Sequence, residues 1–388
     1  MREKSLQVHE QLKGKISVKS KVEVNSKEEL SLYYSPGVAE PSREIAENKQ
    51  LVNKYTGRGN TVAIVSDGTA VLGLGNIGPE AALPVMEGKS MLFSEFADIY
   101  AYPLVIDSNS DQDVIDFCKM LAPSVGGILL EDIKAPNCVN IEQTLIKELD
   151  IPVFHDDQHG TAIVTTAALL NLMRLTNKDV SEMTMVLSGT GAAGSSIARM
   201  AKKLGVKTIY GFNIDGVITA DKYDKYDDVV KSLIDEGVIT NHPNSDADLA
   251  MATEGAHIFV GVSAPGLLKP EMVQNMATDP WIFAMANPNP EIDPQTAIEA
   301  GAFFIGTGRS DYPNQVNNVL AFPGMFKGVL QSGATIDEDM KLQVSHALAS
   351  YISDEELAKD YILPSTLDKG VADSIANVII EGVRNERN

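Results

Sequence analysis

The chain has 388 residues, 44% hydrophobic and 22% charged, an ordinary balance for a soluble globular protein and enough length for two domains that each bury a core. Its formal charge of −21, from 32 basic and 53 acidic residues, excludes nucleic acid and anionic membrane as expected partners, since both need a basic surface. A metal ion or a few lysines can invert the potential locally, so an anionic small molecule stays admissible.

No apolar run approaches the roughly 20 residues that span a bilayer. The opening Met1-Arg2-Glu3-Lys4-Ser5 lacks the apolar core of a secretory signal, so the expected compartment is the cytoplasm. Cys118 and Cys138 form no CxxC pair and are expected as small core residues.

The first 30 residues are polar, with a short helix predicted over 4–12. Ser35-Pro36-Gly37 then signals a turn directly behind Tyr33 and Tyr34. A buried strand over 61–66 (TVAIVS) ends at Asp67-Gly68, and helical patterning from Pro79 is interrupted by Pro84 and Gly88. Further strands are predicted over 102–106 (YPLVI), 127–130 (GILL) and 151–154 (IPVF), followed by Asp107, Glu131-Asp132 and His155-Asp156-Asp157. The stretch 155–161 is expected as a functional turn before an apolar helix over 162–173; the alternative is a plain helix N-cap at Asp157 or Thr161.

After a polar connection at 176–182, strands are expected over 183–188, 207–211, 257–261, 281–286 and 303–305. Amphipathic helices follow over 337–352 and 368–383. Strands alternating with helices indicate an α/β fold with largely parallel sheets covered on both faces. The boundary is expected between a substrate and metal domain, residues 1–158, and a Rossmann-like domain with C-terminal helices, residues 159–388.

Gly189-Thr190-Gly191-Ala192-Ala193-Gly194 is a GxGxxG between a strand and a helix, with a further strand at βαβ distance. Small residues there let the backbone approach a pyrophosphate, and the helix N-terminus offers it free N–H groups. A second match, Gly73-Leu74-Gly75-Asn76-Ile77-Gly78, opens a helix carrying Glu80, a negative charge where pyrophosphate would sit. That loop is expected to face substrate or close the domains, with Asn76 its candidate cofactor contact. In the first unit the ribose position falls at Phe212-Asn213-Ile214-Asp215; Asn213 can bond a 2′-hydroxyl and Asp215 repels a 2′-phosphate, which favours NAD over NADP.

Glu131-Asp132 and Asp156-Asp157 each end a strand of one sheet, so their carboxylates can converge as hard oxygen ligands for Mg²⁺ or Mn²⁺. Paired helix caps are the structural alternative. His155-Asp156-Asp157-Gln158-His159 also fits a loose zinc-hydrolase pattern, which needs a continuous helix that Pro152 and the upstream strand argue against. Lys89, flanked by apolar residues, is either a base or a solvated lysine, and Tyr34 either a proton donor or a core anchor.

Together LYYSPGVAEP, TAVLGLGNIGPEAALPVMEGKSMLF, GILLEDIKAPNC, FHDDQHGTAIV, GTGAAG, AMANPNPEI and NQVNNVLAFPG resemble, in order, the motifs of the malic enzymes, in particular the short bacterial type. The resemblance implies an N-terminal malic-enzyme domain and a C-terminal Rossmann-type NAD-binding domain. It implies oxidative decarboxylation of (S)-malate to pyruvate with NAD or NADP. Tyr34 would be the general acid, Lys89 the general base, Asp156 their support, and Glu131, Asp132 and Asp157 the Mg²⁺ or Mn²⁺ ligands. Asn287 and Asn317 or Asn318 would contact substrate and nicotinamide, and the assembly would be a homodimer, with Tyr34 or Lys89 able to reach a neighbour's site. Val71-Leu72 stand where longer relatives carry a carboxylate-gripping arginine, so another group must fill that role. The acetyltransferase-like extension of some bacterial relatives, and regulation through it, are not expected. Malolactic decarboxylation with retained NAD is the alternative within reach of the same residues. A nucleotide sensor without catalysis would be supported only if Lys89 or the acidic pairs were absent, and they are present.

Overall fold

Two runs of buried strands organise the computed structural model, which describes residues 2–386. Met1, residues 387 and 388 of the expected second domain, and the side chain of Leu72 lie outside the described residues. The first sheet has β1 (Thr61–Ser66) between β2 (Tyr100–Val105) and β3 (Gly127–Leu130), with β4 (Val153–His155) beyond β3, all parallel. Every residue of β1, β3 and β4 is buried, as expected for strands covered on both faces. β2 starts earlier than its sequence suggests. It is an edge strand, where Pro103 is tolerated and Tyr100 and Tyr102 reach solvent. The register pairs Leu130 with His155 and Val65 with Leu130, so β1, β3 and β4 end along one sheet edge. Asp67, Glu131 and Asp156 all follow at that edge.

The second sheet runs β10-β9-β8-β5-β6-β7, from β5 (Thr184–Ser188), β6 (Thr208–Asn213), β7 (Gly216–Val217), β8 (Ile258–Gly261), β9 (Trp281–Ala284) and β10 (Phe304–Thr307). Only β7 is antiparallel, and at two residues it carries no sequence signal of its own. The chain leaves β5 towards β6 and returns on its other side at β8. That reversal opens a crevice beyond the carboxyl ends of β5 and β8.

Two helices differ from expectation. Pro79–Ala97 is unbroken despite Pro84 and Gly88, because Ala82, Met86, Ser90, Phe93 and Ala97 bury one continuous stripe that outweighs a lost hydrogen bond. Asp156–Thr176 begins immediately after β4, so the acidic residues are its first turn and not a loop before it. Its N-cap is His155, not Asp157 or Thr161, with Nδ1 accepting the Gln158 N–H at 3.3 Å.

Three helices, Phe322–Ser332, Glu338–Ser350 and Gly370–Glu386, close the chain, and the first of them reaches back to the helix that covers the first sheet. Phe322 and Phe326 set their edges against Phe93 at centroid distances of 4.8 and 5.4 Å, and Phe326 lies 6.3 Å from Phe154. One buried cluster therefore runs from β1 through these helices to β9. Among the described residues no helix is long and apolar enough to cross a membrane.

Phe326→Ala removes a fully buried ring at this junction. It is expected to cost about 3–5 kcal/mol of unfolding free energy, measured by guanidinium denaturation followed by circular dichroism.

Candidate active site

The edge formed by β1, β3 and β4 gathers four carboxylates and a lysine. Beyond β3, the Glu131 N–H still donates to the Val65 carbonyl at 3.0 Å, and Asp132 turns into the left-handed region at φ 54°. Aspartate tolerates that conformation better than most residues. The Asp132 N–H donates to Asp157 Oδ2 at 2.9 Å, and the Ala70 N–H donates to the Asp132 carbonyl at 2.9 Å. One carboxylate oxygen each from Glu131, Asp132 and Asp157 lie within 4.8 Å of one another. These form the sole group of metal-ligating side chains of this kind among the described residues.

Lys89 Nζ lies 3.0 Å from Glu131 Oε1, pairs with Asp156 Oδ2, and stands 4.8 Å over the Phe322 ring. Asp156 is wholly buried, and its Oδ2 also accepts from Asn318 Nδ2 at 3.2 Å. Burial alone would pull the Lys89 pKa down, but Asp156, Glu131 and Asp157 more than offset it and hold the ammonium above the usual lysine range. Burial, reinforced by Asp157, Asp156 and Asp132 and opposed by Lys89, pushes Glu131 well above the carboxylate range. Both shifts have one meaning: a buried, net-negative site retains protons. Glu131 Oε2 and Asp156 Oδ1 are buried without a hydrogen-bond partner. An all-oxygen donor set with an orphaned carboxylate oxygen fits a hard divalent cation such as Mg²⁺ or Mn²⁺.

The helix that a zinc-binding histidine pair would need does start here, contrary to expectation, but His155 stands before its first turn as the N-cap and His159 is otherwise engaged. His159 Nε2 meets Glu142 Oε2 at 2.8 Å, and Lys341 Nζ sits 3.1 and 3.2 Å from the two ring nitrogens. An ammonium against the imidazole leaves no place for zinc.

In the second sheet, Gly189 has φ 101°, and a Cβ on Gly194 would sit 1.9 Å from the Gly189 carbonyl oxygen, so helix and loop touch backbone to backbone. A Cβ on Gly191 would meet nothing within 4 Å. Helix Ala192–Leu204 has no side-chain cap and no acid in its first turn, so its free N–H groups face open space, a cradle that fits a pyrophosphate. Thr190 is buried, Ala192 and Ala193 are half-buried, and Asn213 ends β6 with Oδ1 accepting the Asp215 N–H at 2.8 Å.

The other glycine loop bridges the two units. A Cβ on Gly73 would lie 2.5 Å from the Asn287 carbonyl oxygen, and one on Gly308 3.1 Å from the Asn287 carboxamide. Asn76 is exposed on that loop. Asn317 caps its own turn, accepting the Val319 N–H at 3.0 Å. The Asn318 carboxamide is spent on Asp156 and on Thr161, whose hydroxyl donates to Oδ1 at 3.0 Å. Tyr34 lies apart from this group: it ends helix Lys27–Tyr33, is 68% exposed, and its hydroxyl has no hydrogen-bond partner among the described residues.

Sequence reasoning missed two buried acids. Glu142 gathers three donors behind the helix that carries Asp156 and Asp157. Burial opposes its charge, but His159, Lys341 and His155 bring its pKa down to about 2. Glu291 accepts the Ser263 and Ala286 N–H groups, each at 3.0 Å, and ties together the loops after β8 and β9. Neither carries a local signal, since Glu142 lies in the polar stretch NCVNIEQT and Glu291 in the turn-rich NPNPEIDP.

A Rossmann-type sheet beside a lysine-bearing acidic sheet edge defines a dinucleotide-dependent oxidoreductase of two α/β units. Comparison with known proteins specifies the class. Residues 11–146 match the malic enzyme N-terminal domain and residues 158–383 the malic enzyme NAD-binding domain. A bifunctional malic/malolactic enzyme of Bacillus subtilis is 51% identical over 98% of this chain and 92% of its own length. An NADP-dependent malic enzyme of Halomonas elongata is 43% identical, covering 95% of this chain and 90% of that one. The crystal structure of an NAD-dependent malic enzyme from Thermotoga maritima superposes with a TM-score of 0.92 at 46% identity, covering 97% of this chain and 98% of that one. The chain belongs to the malic enzyme family.

Gly160, inside the first turns of the Asp156 helix, has no room for a methyl group: its Cβ would lie 2.2 Å from Asp156 Oδ1 and 2.9 Å from the Asn318 side chain. Although alanine is the better helix former, Gly160→Ala is expected to destabilise the fold by about 1–3 kcal/mol through overpacking, read as a lower urea midpoint at unchanged m-value.

Proposed function

We propose that this chain catalyses the oxidative decarboxylation of (S)-malate to pyruvate and CO₂ with reduction of a nicotinamide dinucleotide. The observation that carries the reading is Lys89, buried between Asp156 and Glu131 beside the three-carboxylate group. Glu131, Asp132 and Asp157 would hold Mg²⁺ or Mn²⁺. When bound, the cation polarises the C2 oxygen and steadies the enolate charge, and the nicotinamide accepts the hydride from C2. A cation held there would offset the charges of Glu131 and Asp157, two of the three carboxylates that hold the Lys89 proton, and so ease its release, with Asp156 remaining as the strongest of them. Lys89 then takes the proton of the C2 hydroxyl, with Asp156 fixing the amine's direction. Tyr34 donates a proton to C3 once CO₂ has left C4. Asn287 and Asn317 are assigned to the substrate's polar groups and Asn76 to the cofactor side of the cleft.

NAD is the expected cofactor, since Asn213 and Asp215 bracket the ribose position and no Arg or Lys occurs from 212 to 217. Relatives carry both NAD and NADP in their names, which makes the preference a matter for assay. The bifunctional Bacillus subtilis relative gives a second reading, malolactic decarboxylation, which yields lactate and no net NADH. An assay with L-malate, Mn²⁺ and NAD or NADP separates these: reduced nicotinamide and pyruvate are expected, abolished by chelator. Lys89→Ala should lower turnover at least a thousandfold, the upper range of what a general base contributes being roughly 10⁴, with the NAD dissociation constant within about twofold. A Lys89→Ala enzyme with wild-type turnover removes the assignment.

The reading includes a homodimer in which Tyr34 serves the neighbouring active site. No residue from 2 to 60 is buried, and Leu32 and Tyr34 are 64% and 68% exposed, which supports a partner covering this face. Sedimentation should give twice the chain mass. Mixing inactive Tyr34→Phe and Lys89→Ala subunits should restore activity in the mixed dimers, up to about a quarter of wild type at equal proportions if exchange is random; two variants that stay inactive together would show that Tyr34 and Lys89 act within one chain.

A further inference from the structure

Asp156 and Asp157 open a helix, where acidic side chains ordinarily turn back to the free N–H groups and the positive end of the dipole. Here they cannot. Asp156 Oδ2 is taken by Lys89 and Asn318, and Asp157 Oδ2 accepts from the Asp132 N–H. The N-cap is a histidine, a weak choice for that position, and its Nε2 is buried without a partner. The acid that a capping box would place within the first turn comes instead from another helix, Asn137–Glu148.

Glu142 on that helix is 3% exposed. Its Oε1 accepts the His155 N–H at 2.7 Å, and its Oε2 accepts Gln158 Nε2 at 3.1 Å and His159 Nε2 at 2.8 Å. These donors bracket Asp156 and Asp157 on both sides in the chain. Lys341, from the C-terminal helix, braces the far side of the His159 ring, and Ser196, on the helix after the dinucleotide loop, stands 3.4 Å from His159 Nδ1.

We propose that Glu142 is a positioning residue for the metal site: it takes over the capping of helix Asp156–Thr176 and so leaves both aspartates free to point at Lys89 and at the cation. The inference rests on the metal assignment made above. Direct hydrogen-bond partners of metal ligands are typically worth 10- to 100-fold in metal affinity. Glu142 bonds the chain neighbours of Asp157 and not the ligand itself, which places its expected effect at the lower end of that range, about tenfold.

The test is Mn²⁺ binding without malate, followed by the electron spin resonance of the free ion, with NAD affinity measured on the same samples well below their melting temperatures. Glu142→Ala is expected to weaken Mn²⁺ binding about tenfold while NAD affinity changes less than about twofold. Glu142→Gln keeps the side-chain volume and one acceptor for the His155 N–H. It should fold even where the alanine variant does not, with a smaller loss of Mn²⁺ affinity. Mn²⁺ affinity within twofold of wild type in a folded variant overturns the role of Glu142, as does a parallel fall in Mn²⁺ and NAD affinity, which marks a general loss of structure. A wild-type chain that binds no Mn²⁺ overturns the metal assignment and this inference with it.

Discussion

Four carboxylates and one ammonium meet at the end of the first sheet, and mutual repulsion among the acids is the constraint to which the surrounding structure answers. Two unit charges about 4 Å apart at an effective dielectric near 20 repel by roughly 4 kcal/mol. Glu131, Asp132 and Asp157 approach that spacing with little water to screen them. The site tolerates this because the strand register leaves no alternative: Leu130 pairs with His155, so the turn after β3 and the helix after β4 must start side by side. Lys89 offsets part of the excess, and the raised affinity of Glu131 for a proton eases it further. A divalent cation held by the same oxygens would relieve the repulsion in the same way.

The same constraint shapes the residues packed around the acids. Gly160 is small because Asp156 and Asn318 occupy the space of its missing methyl. Asn318, drawn from the turn Asn318–Leu320 beyond the second sheet, bonds both the carboxylate and the carbonyl of Asp156. The acidic edge is thus assembled from both units, and the Gly73 loop resting on Asn287 makes a second contact between them.

Much of this was legible because parallel strands covered on both faces leave continuous apolar runs, and their acidic ends stand out. Glu131, Asp132, Asp156 and Asp157 could be picked out as candidates from that contrast, and the glycine turn after β5 from its βαβ setting. Lys89 stood out only as a lysine among apolar residues, and its role came from the family resemblance. Local signals failed where distant packing outweighed them. Pro84 looks like a helix end, yet the buried stripe from Ala82 to Ala97 carries the helix through it. The first turn of Asp156–Thr176 looks like a loop because its side chains are those of a turn. Helix Phe322–Ser332 went unseen because FPGMFKG is rich in turn residues. Gly324 and Gly328 are there for another reason: a Cβ on either would lie 2.7 to 2.9 Å from Ala372 or Ile379 of the Gly370–Glu386 helix crossing over them. No inspection of adjacent residues discloses a packing partner that lies outside the local pattern. That is also why Glu142, bonded to residues 13 to 17 positions away, and Lys341, set 182 positions from its neighbour His159, passed unnoticed.

The return of those helices to the first sheet has a consequence for how the molecule is made. Phe93 and Phe154 leave the ribosome well before Phe322 and Phe326 arrive to cover them. With roughly 230 residues between Phe93 and Phe322, synthesis at about 5–20 residues per second keeps that apolar surface waiting for some ten to forty-five seconds. The nascent amino-terminal half therefore emerges with an unfinished face, one that stays open to water until the helix bearing Phe322 and Phe326 closes it.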